Sequence, residues 1–138
     1  MNTTEIIITK GDKKKLLNVL NKKEVGRVDP FENMILVRNK IKTAQLVDPE
    51  NVPPSVVTMN SKVKIKNLSV GKTMSLTLVY PEKTDVENQR ISIFSPIGAS
   101  MLGYSQGDSF IWSGRRGSAK FVIEEVEYQP ESAGDFHL

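Results

Sequence analysis

The sequence of 138 residues contains no cysteine, and it has one histidine, His137. These absences exclude disulfides, thiolate-ligated metals, cysteine nucleophiles, and any metal site or catalytic dyad that needs a second histidine. The apolar run at the N-terminus is only three isoleucines long, too short for a signal peptide or a membrane span. We therefore expect a cytoplasmic chain that has no cofactor, binds no metal and contacts no membrane.

The chain also lacks a large excess of charge of either sign, because its net charge is only +3. Residues 1–50 carry ten Lys/Arg and seven Asp/Glu, residues 51–94 six and three, and residues 95–138 three and six. This bipolar distribution suits a protein partner better than bulk nucleic acid, which favours a stronger basic excess. The stripe formed by Lys62, Lys64 and Lys66 is either a nucleic-acid contact or the solvated outer face of a sheet. We expect any contact with nucleic acid to be indirect, because no aromatic residue interleaves the stripe.

Two helix starts are visible in the N-terminal third. Thr9, with Asp12 three residues later, predicts the N-cap of a first helix that ends near Lys22. Asp29, followed by Pro30, predicts the start of a second helix that ends at Val47. Its apolar stripe comprises Phe31, Met34, Val37, Ile41 and Ala44. We interpret residues 1–48 as an antiparallel helical hairpin, a short coiled coil whose second helix has about 18 residues and is roughly 27 Å long.

The pattern changes beyond Pro53-Pro54, where apolar residues begin to alternate with polar ones. Alternation over residues 62–66 and 73–80, with Gly71 between them, predicts a β-hairpin. Two later strands, joined by a turn at residues 114–117, extend it. The prediction is an α+β chain in which residues 49–138 form a small antiparallel sheet with one short helix.

That short helix lies within the stretch ISIFSPIGASMLGYSQGD, residues 91–108. Ser95 occupies the position of an N-cap, Pro96 suits the first helical position, and Gly103 is typical of a helix end. Gln106-Gly107-Asp108 predicts a turn into the next strand. The unit is a strand, a Ser-Pro corner, a helix and a strand, with apolar side chains available to the core or to a partner.

These motifs give the chain its resemblance to the GreA/GreB transcript-cleavage factor family. Ser95-Pro96-Ile97-Gly98, Leu102-Gly103 and Gly107-Asp108 resemble the strand end, helix end and turn of the family's C-terminal domain. The stretches VPPSVVTMNSKV, TLVYPE and YQPESAGDFHL are similar to a short branch of the family called Rnk, the regulator of nucleoside diphosphate kinase. The resemblance implies that residues 49–138 are FKBP-like.

The resemblance also implies a non-enzymatic regulator that binds RNA polymerase at the rim of its secondary channel. We expect the chain to be a monomer. Acidic residues at the hairpin tip of the cleavage factors help hold a catalytic magnesium ion. Glu24 and Asp29 are the acidic residues near the tip here, on a hairpin too short to deliver a metal, so we expect no transcript cleavage. The predicted partner-binding residues are Ser95, Pro96, Ile97, Gly98, Met101 and Leu102.

Two other functions remain open at this point. A peptidyl-prolyl isomerase is compatible with an FKBP-like fold, although fold alone does not carry function. The chain is alternatively an interaction module for another partner, such as a nucleoside diphosphate kinase.

Overall fold

The computed structural model describes residues 5–21, 31–114 and 117–138. These residues form three α-helices and seven strands, which confirms the predicted mixed α+β class. The helices are α1 (Lys10–Leu20), α2 (Phe31–Thr43) and α3 (Pro96–Met101). The strands are β1 (Ile7–Thr9), β2 (Gln45–Val47), β3 (Lys62–Asn67), β4 (Lys72–Val79), β5 (Arg90–Ser92), β6 (Ser109–Gly114) and β7 (Gly117–Tyr128). Within the described ranges, no helix combines the length and apolarity needed to cross a bilayer.

Helix α1 begins as predicted. The Thr9 hydroxyl oxygen accepts the backbone N–H of Asp12 at 3.0 Å, which satisfies one of the unpaired donors of the first turn. The Asp12 carboxylate turns inward, and its Oδ2 accepts the backbone N–H of Met59 at 3.0 Å. This bond ties the start of α1 to the segment that precedes β3.

Helix α2 ends earlier than predicted. Its 13 described residues end at Thr43, so the prediction that it continues to Val47 is wrong. Residues 45–47 instead form β2, which pairs in parallel with β1. The backbone N–H of Gln45 is satisfied by the carbonyl of Ile6 at 2.8 Å rather than by the helix. The predicted start at Asp29 and Pro30, and the predicted end of the first helix at Lys22, lie outside the described residues.

The remaining strands form a five-stranded sheet in the order β5-β4-β3-β7-β6. β3 pairs antiparallel with β4 and with β7, and β6 pairs antiparallel with β7. The turn between β3 and β4 contains Gly71 at φ +74°, as its position in the sequence predicts. β5 is parallel to β4, with Leu78 opposite Ile91. The prediction of a wholly antiparallel sheet is therefore wrong for this edge strand.

One apolar core runs through both predicted regions. Leu16 of α1 and Val37 of α2 are completely buried in the same cluster as Val63 and Ile65 of β3. Met101 of α3 belongs to this cluster as well. The division into residues 1–48 and 49–138 stays a prediction, and the two regions share their core.

Candidate functional site

The Ser-Pro corner leads from β5 into α3 through hydrogen bonds of its own side chains. The Ser95 hydroxyl donates to the carbonyl of Ser92 at 2.7 Å and accepts the backbone N–H of Gly98 at 3.1 Å. The Ser92 hydroxyl accepts the backbone N–H of Phe94 at 3.0 Å. Pro96 then occupies the first turn, where it has no N–H to lose. The predicted N-cap is confirmed, and side-chain hydrogen bonds of Ser92 and Ser95 fix the backbone of the corner.

Two glycines let the corner pack closely against its neighbours. A Cβ atom at Gly98 would lie 2.3 Å from the carbonyl oxygen of Ser92. Gly103, which follows α3, has φ +83°, and a Cβ there would lie 2.4 Å from Cγ2 of Ile6. Its carbonyl accepts the backbone N–H of Ile7 at 3.1 Å. At both glycines, neighbouring backbone or side-chain atoms therefore lie too close for any larger residue.

Helix α2 braces α3 with two polar side chains. Nδ2 of Asn33 donates to the carbonyl of Phe94, just before α3, at 2.9 Å. Nζ of Lys40 donates to the carbonyls of Ser100 and Leu102, at the other end of α3, at 2.6 Å and 2.9 Å. Residues seven apart on a helix share one face. One face of α2 therefore holds both ends of α3.

Lys40 is 4% exposed, an unusual position for a lysine. Burial lowers the pKa of its ammonium group from 10.5 to about 7. The carbonyls at the C-terminal end of α3 favour the cation, as does the ring of Tyr104, whose centroid lies 4.5 Å from Nζ. Within the described residues, the ion pair joins Lys10 and Asp48 and does not involve Lys40. The charge of Lys40 is therefore stabilised there by carbonyl dipoles and an aromatic ring.

The six predicted partner-binding residues divide by exposure. Pro96 is exposed, and Ser95 and Ile97 are partly exposed. Gly98, Met101 and Leu102 are buried, and the side chain of Met101 is completely enclosed by the core. The first three are accessible to a partner, whereas the last three fix the position of the helix.

The side of α2 that faces α3 also carries an accessible apolar residue. Leu36 is 36% exposed and lies three residues after Asn33 and four before Lys40, on the side of α2 that faces α3. We call this region the corner surface, and it comprises Leu36, Pro96, Ile97 and Ser100. It is a small, mainly apolar surface on a braced scaffold.

The predicted hairpin-tip residues, Glu24 and Asp29, lie outside the described residues. Across the ranges that the structure covers, no three His, Cys, Asp or Glu side chains cluster as metal ligands.

Asn33 and Lys40 were missed by reasoning from the sequence. The apolar stripe of α2 drew attention to Val37 and Ile41, and no role was assigned to the polar residues beside it. The available signal was their spacing of seven, which places both side chains on one helix face at the margin of the stripe. That spacing does not say which carbonyls they meet.

Comparisons with known proteins give one consistent relationship. Residues 52–128, more than half of the chain, match the family described as "Transcription elongation factor, GreA/GreB, C-term". The chain is 48% identical over 96 residues to the "Regulator of nucleoside diphosphate kinase" of Escherichia coli (strain K12), covering 69% of this chain and 71% of that protein. It is 36% identical over 85 residues to the transcription elongation factor GreA of Amoebophilus asiaticus (strain 5a2), covering 62% and 54%.

A solved structure extends the similarity to the N-terminal region. The structure described as "Prokaryotic transcription elongation factor GreA/GreB from Nitrosomonas europaea" has 35% sequence identity and a TM-score of 0.74. The match covers 91% of this chain and 100% of that one, so it includes helices as well as the sheet. The chain belongs to the GreA/GreB family of transcription elongation factors.

Proposed function

We propose that this chain is a non-enzymatic regulator of transcription that binds bacterial RNA polymerase near the secondary channel, through an FKBP-like domain, residues 49–138, that contributes Pro96, Ile97 and Ser100 to the corner surface. Membership of the GreA/GreB family supports this proposal, as do the relatives named as elongation factors. In this proposal the sheet region grips the polymerase and the helical hairpin projects from it.

The bracing of the corner is the observation that carries the proposal. Pro96 and Ile97 place apolar surface at the outside of a helix whose two ends are hydrogen-bonded to α2. Protein interfaces derive most of their affinity from a few such anchors. A surface already held in place loses little conformational entropy when it binds.

We further propose that the chain does not promote transcript cleavage. Within the described residues, helix α1 has 11 residues and α2 has 13, which correspond to about 17 Å and about 20 Å. A magnesium ion needs several convergent oxygen ligands, and the predicted tip supplies Glu24 and Asp29. The proposed action is occupancy of the channel rim.

Equilibrium binding to core RNA polymerase tests this proposal. We expect Pro96→Glu and Ile97→Glu each to weaken binding by about tenfold or more, because a carboxylate replaces an apolar anchor. Pro96→Glu is the safer variant, since a glutamate in the first turn of a helix is stabilising. Ile35→Glu is the matched control, because Ile35 is 43% exposed on α2, two residues from Asn33 and directed away from α3.

Two results would overturn the proposal. One is the absence of binding to core RNA polymerase at micromolar concentrations of the chain. The other is equal weakening by Ile35→Glu, which would place the contact elsewhere on α2 or show a general effect of added negative charge.

A second candidate function is regulation of a nucleoside diphosphate kinase. It is favoured by the name of the E. coli relative, 71% of whose length aligns with this chain at 48% identity. A kinase assay with and without the chain tests it, and a change in turnover that Pro96→Glu leaves intact would favour this function over polymerase binding.

The isomerase alternative gains no comparable support. Phe94, Phe110 and Phe121 are buried in the core, where the last two rings stack at 5.5 Å.

A further inference from the structure

A row of polar side chains crosses the outer face of the five-stranded sheet. Strand pairing places Tyr128 of β7 opposite Lys62 of β3, Lys62 opposite Thr77 of β4, and Thr77 opposite Arg90 of β5. Residues paired in this way lie side by side on one face. Lys62 and Arg90 are two strand spacings apart, about 10 Å. A bound group between them can contact both.

The row forms the floor of an open cleft of about 390 Å³. Lys83, from the short turn that follows β4, adds a third cation to the lining of the cleft, and Asn60 adds a side-chain amide. Lys62, Lys83 and Arg90 thus converge from three separate elements. Within the described part of the chain, none of the three forms an ion pair.

Three carboxylates near the cleft in sequence contact other groups or line another pocket. The Asp135 carboxylate accepts the hydroxyl of Tyr128. Oδ2 of Asp85 accepts the side-chain amide of Asn88 at 2.7 Å. Glu82 lines a different pocket, together with Lys15. The described side chains that line the cleft itself include three cations and no carboxylate.

The backbone beside the cleft is held in an uncommon conformation. Asn60 has φ +67° and Gln89 has φ +58°, and among the described residues these are the non-glycine positions with positive φ. Asn60 lines the cleft, and Gln89 immediately precedes Arg90. Arg90 is fixed by reciprocal backbone hydrogen bonds with Asp85 at 2.9 Å and 3.0 Å. Such conformations cost free energy and cluster at functional sites.

We propose that this cleft binds a phosphate-bearing small molecule. An arginine offers paired donors to phosphate oxygens, and lysines add point charges around them. The cleft has the volume of a small-molecule pocket rather than of a long track. Nucleic acid fits less well, since the next lysine along β3, Lys64, lies opposite Glu125 of β7. The proposal does not rest on polymerase binding.

Titration of the full chain with inorganic pyrophosphate, followed by calorimetry and by backbone amide chemical shifts, tests the proposal. We expect saturable binding at one site, with the largest shifts around residues 60, 77 and 90. Lys62→Gln and Arg90→Gln are surface changes that preserve the strands. Each should weaken binding by about tenfold or more, since each removes charge-assisted hydrogen bonds. Lys66→Gln, on the same face of β3 but outside the cleft, is the matched control and should leave affinity unchanged.

Three outcomes would overturn the proposal. The first is no saturable binding at millimolar pyrophosphate. The second is an equal loss in Lys66→Gln, which would indicate diffuse attraction to the basic face. The third is tighter binding of a single-stranded oligonucleotide that weakens equally in Lys64→Gln and Lys66→Gln, which would indicate a nucleic-acid track along β3.

Discussion

At the scale of single residues, Gly98 occupies a point in α3 where a methyl group has no space. The carbonyl oxygen of Ser92 would lie 2.3 Å from an added Cβ. We expect Gly98→Ala to lower the free energy of unfolding by about 1–3 kcal/mol, because the overlap outweighs alanine's helix propensity. Urea unfolding measures the change.

Gly11 is the control for this prediction. It lies in α1, where the nearest atom to an added Cβ is 3.9 Å away. Gly11→Ala should raise the free energy of unfolding by up to about 1 kcal/mol, as expected for a glycine replaced in a helix. Equal and favourable effects at both positions would contradict the close contact at Gly98.

Asp12 predicts a pH dependence of stability. Burial raises the pKa of its carboxyl group from 3.8 to about 7; the charge of Glu131 adds to this rise, and the hydrogen bond from Met59 opposes it. A raised carboxyl pKa means that the folded state binds more protons than the unfolded state between these values. The contribution to stability is therefore complete below the unfolded pKa and is lost as the pH rises through about 7.

Asp12→Asn tests this dependence, since an amide oxygen can still accept the Met59 N–H without acquiring charge. We expect the free energy of unfolding of the wild type to fall relative to that of Asp12→Asn as the pH rises from about 4 to 7. Urea unfolding at several pH values measures both profiles. Parallel profiles would contradict the account of the buried carboxyl group.

At the scale of elements, α2 is the support of α3. Asn33→Ala removes the donor to the carbonyl of Phe94 and leaves a buried acceptor unpaired, which should cost about 1–3 kcal/mol. We also expect faster hydrogen exchange at the amides of residues 98–102. Asn39→Ala, an exposed change on the same helix, should affect neither quantity. Unchanged exchange in Asn33→Ala would show that α3 keeps its position without α2.

Elements governed by local chemistry were predictable from the sequence. The caps at Thr9 and Ser95 and the turn at Gly71 each depend on residues within four positions of one another. The strand β2 and the parallel direction of β5 were not predictable in this way. Each is a three-residue strand whose identity comes from a distant partner, such as Ile7 opposite Gln45. Periodicity over so short a segment carries no information on pairing direction.

The candidate site shows the same division. The sequence identified the Ser-Pro corner, because the N-cap and the proline are local signals. It did not separate Pro96 from Met101, since an apolar residue of a short helix can face either way. The bracing residues Asn33 and Lys40 act on carbonyls about 60 positions away in the chain, so only the fold reveals them.

At the scale of the whole molecule, helices and sheet share one core, so we expect one cooperative unfolding transition. Trp112 of β6 is the single tryptophan and reports on the sheet, whereas far-ultraviolet circular dichroism reports mainly on the helices. The two probes should give the same midpoint in urea. A helical signal lost first would instead indicate that residues 1–48 unfold as an independent domain.

Site-specific photo-cross-linking to core RNA polymerase tests the central proposal most directly. A photoreactive side chain placed at position 96, on the corner surface, should cross-link to the polymerase near its secondary channel. The same side chain placed at position 35, on the outer side of α2, should cross-link much less. Strong cross-linking from position 35 with none from position 96 would contradict docking through the corner surface.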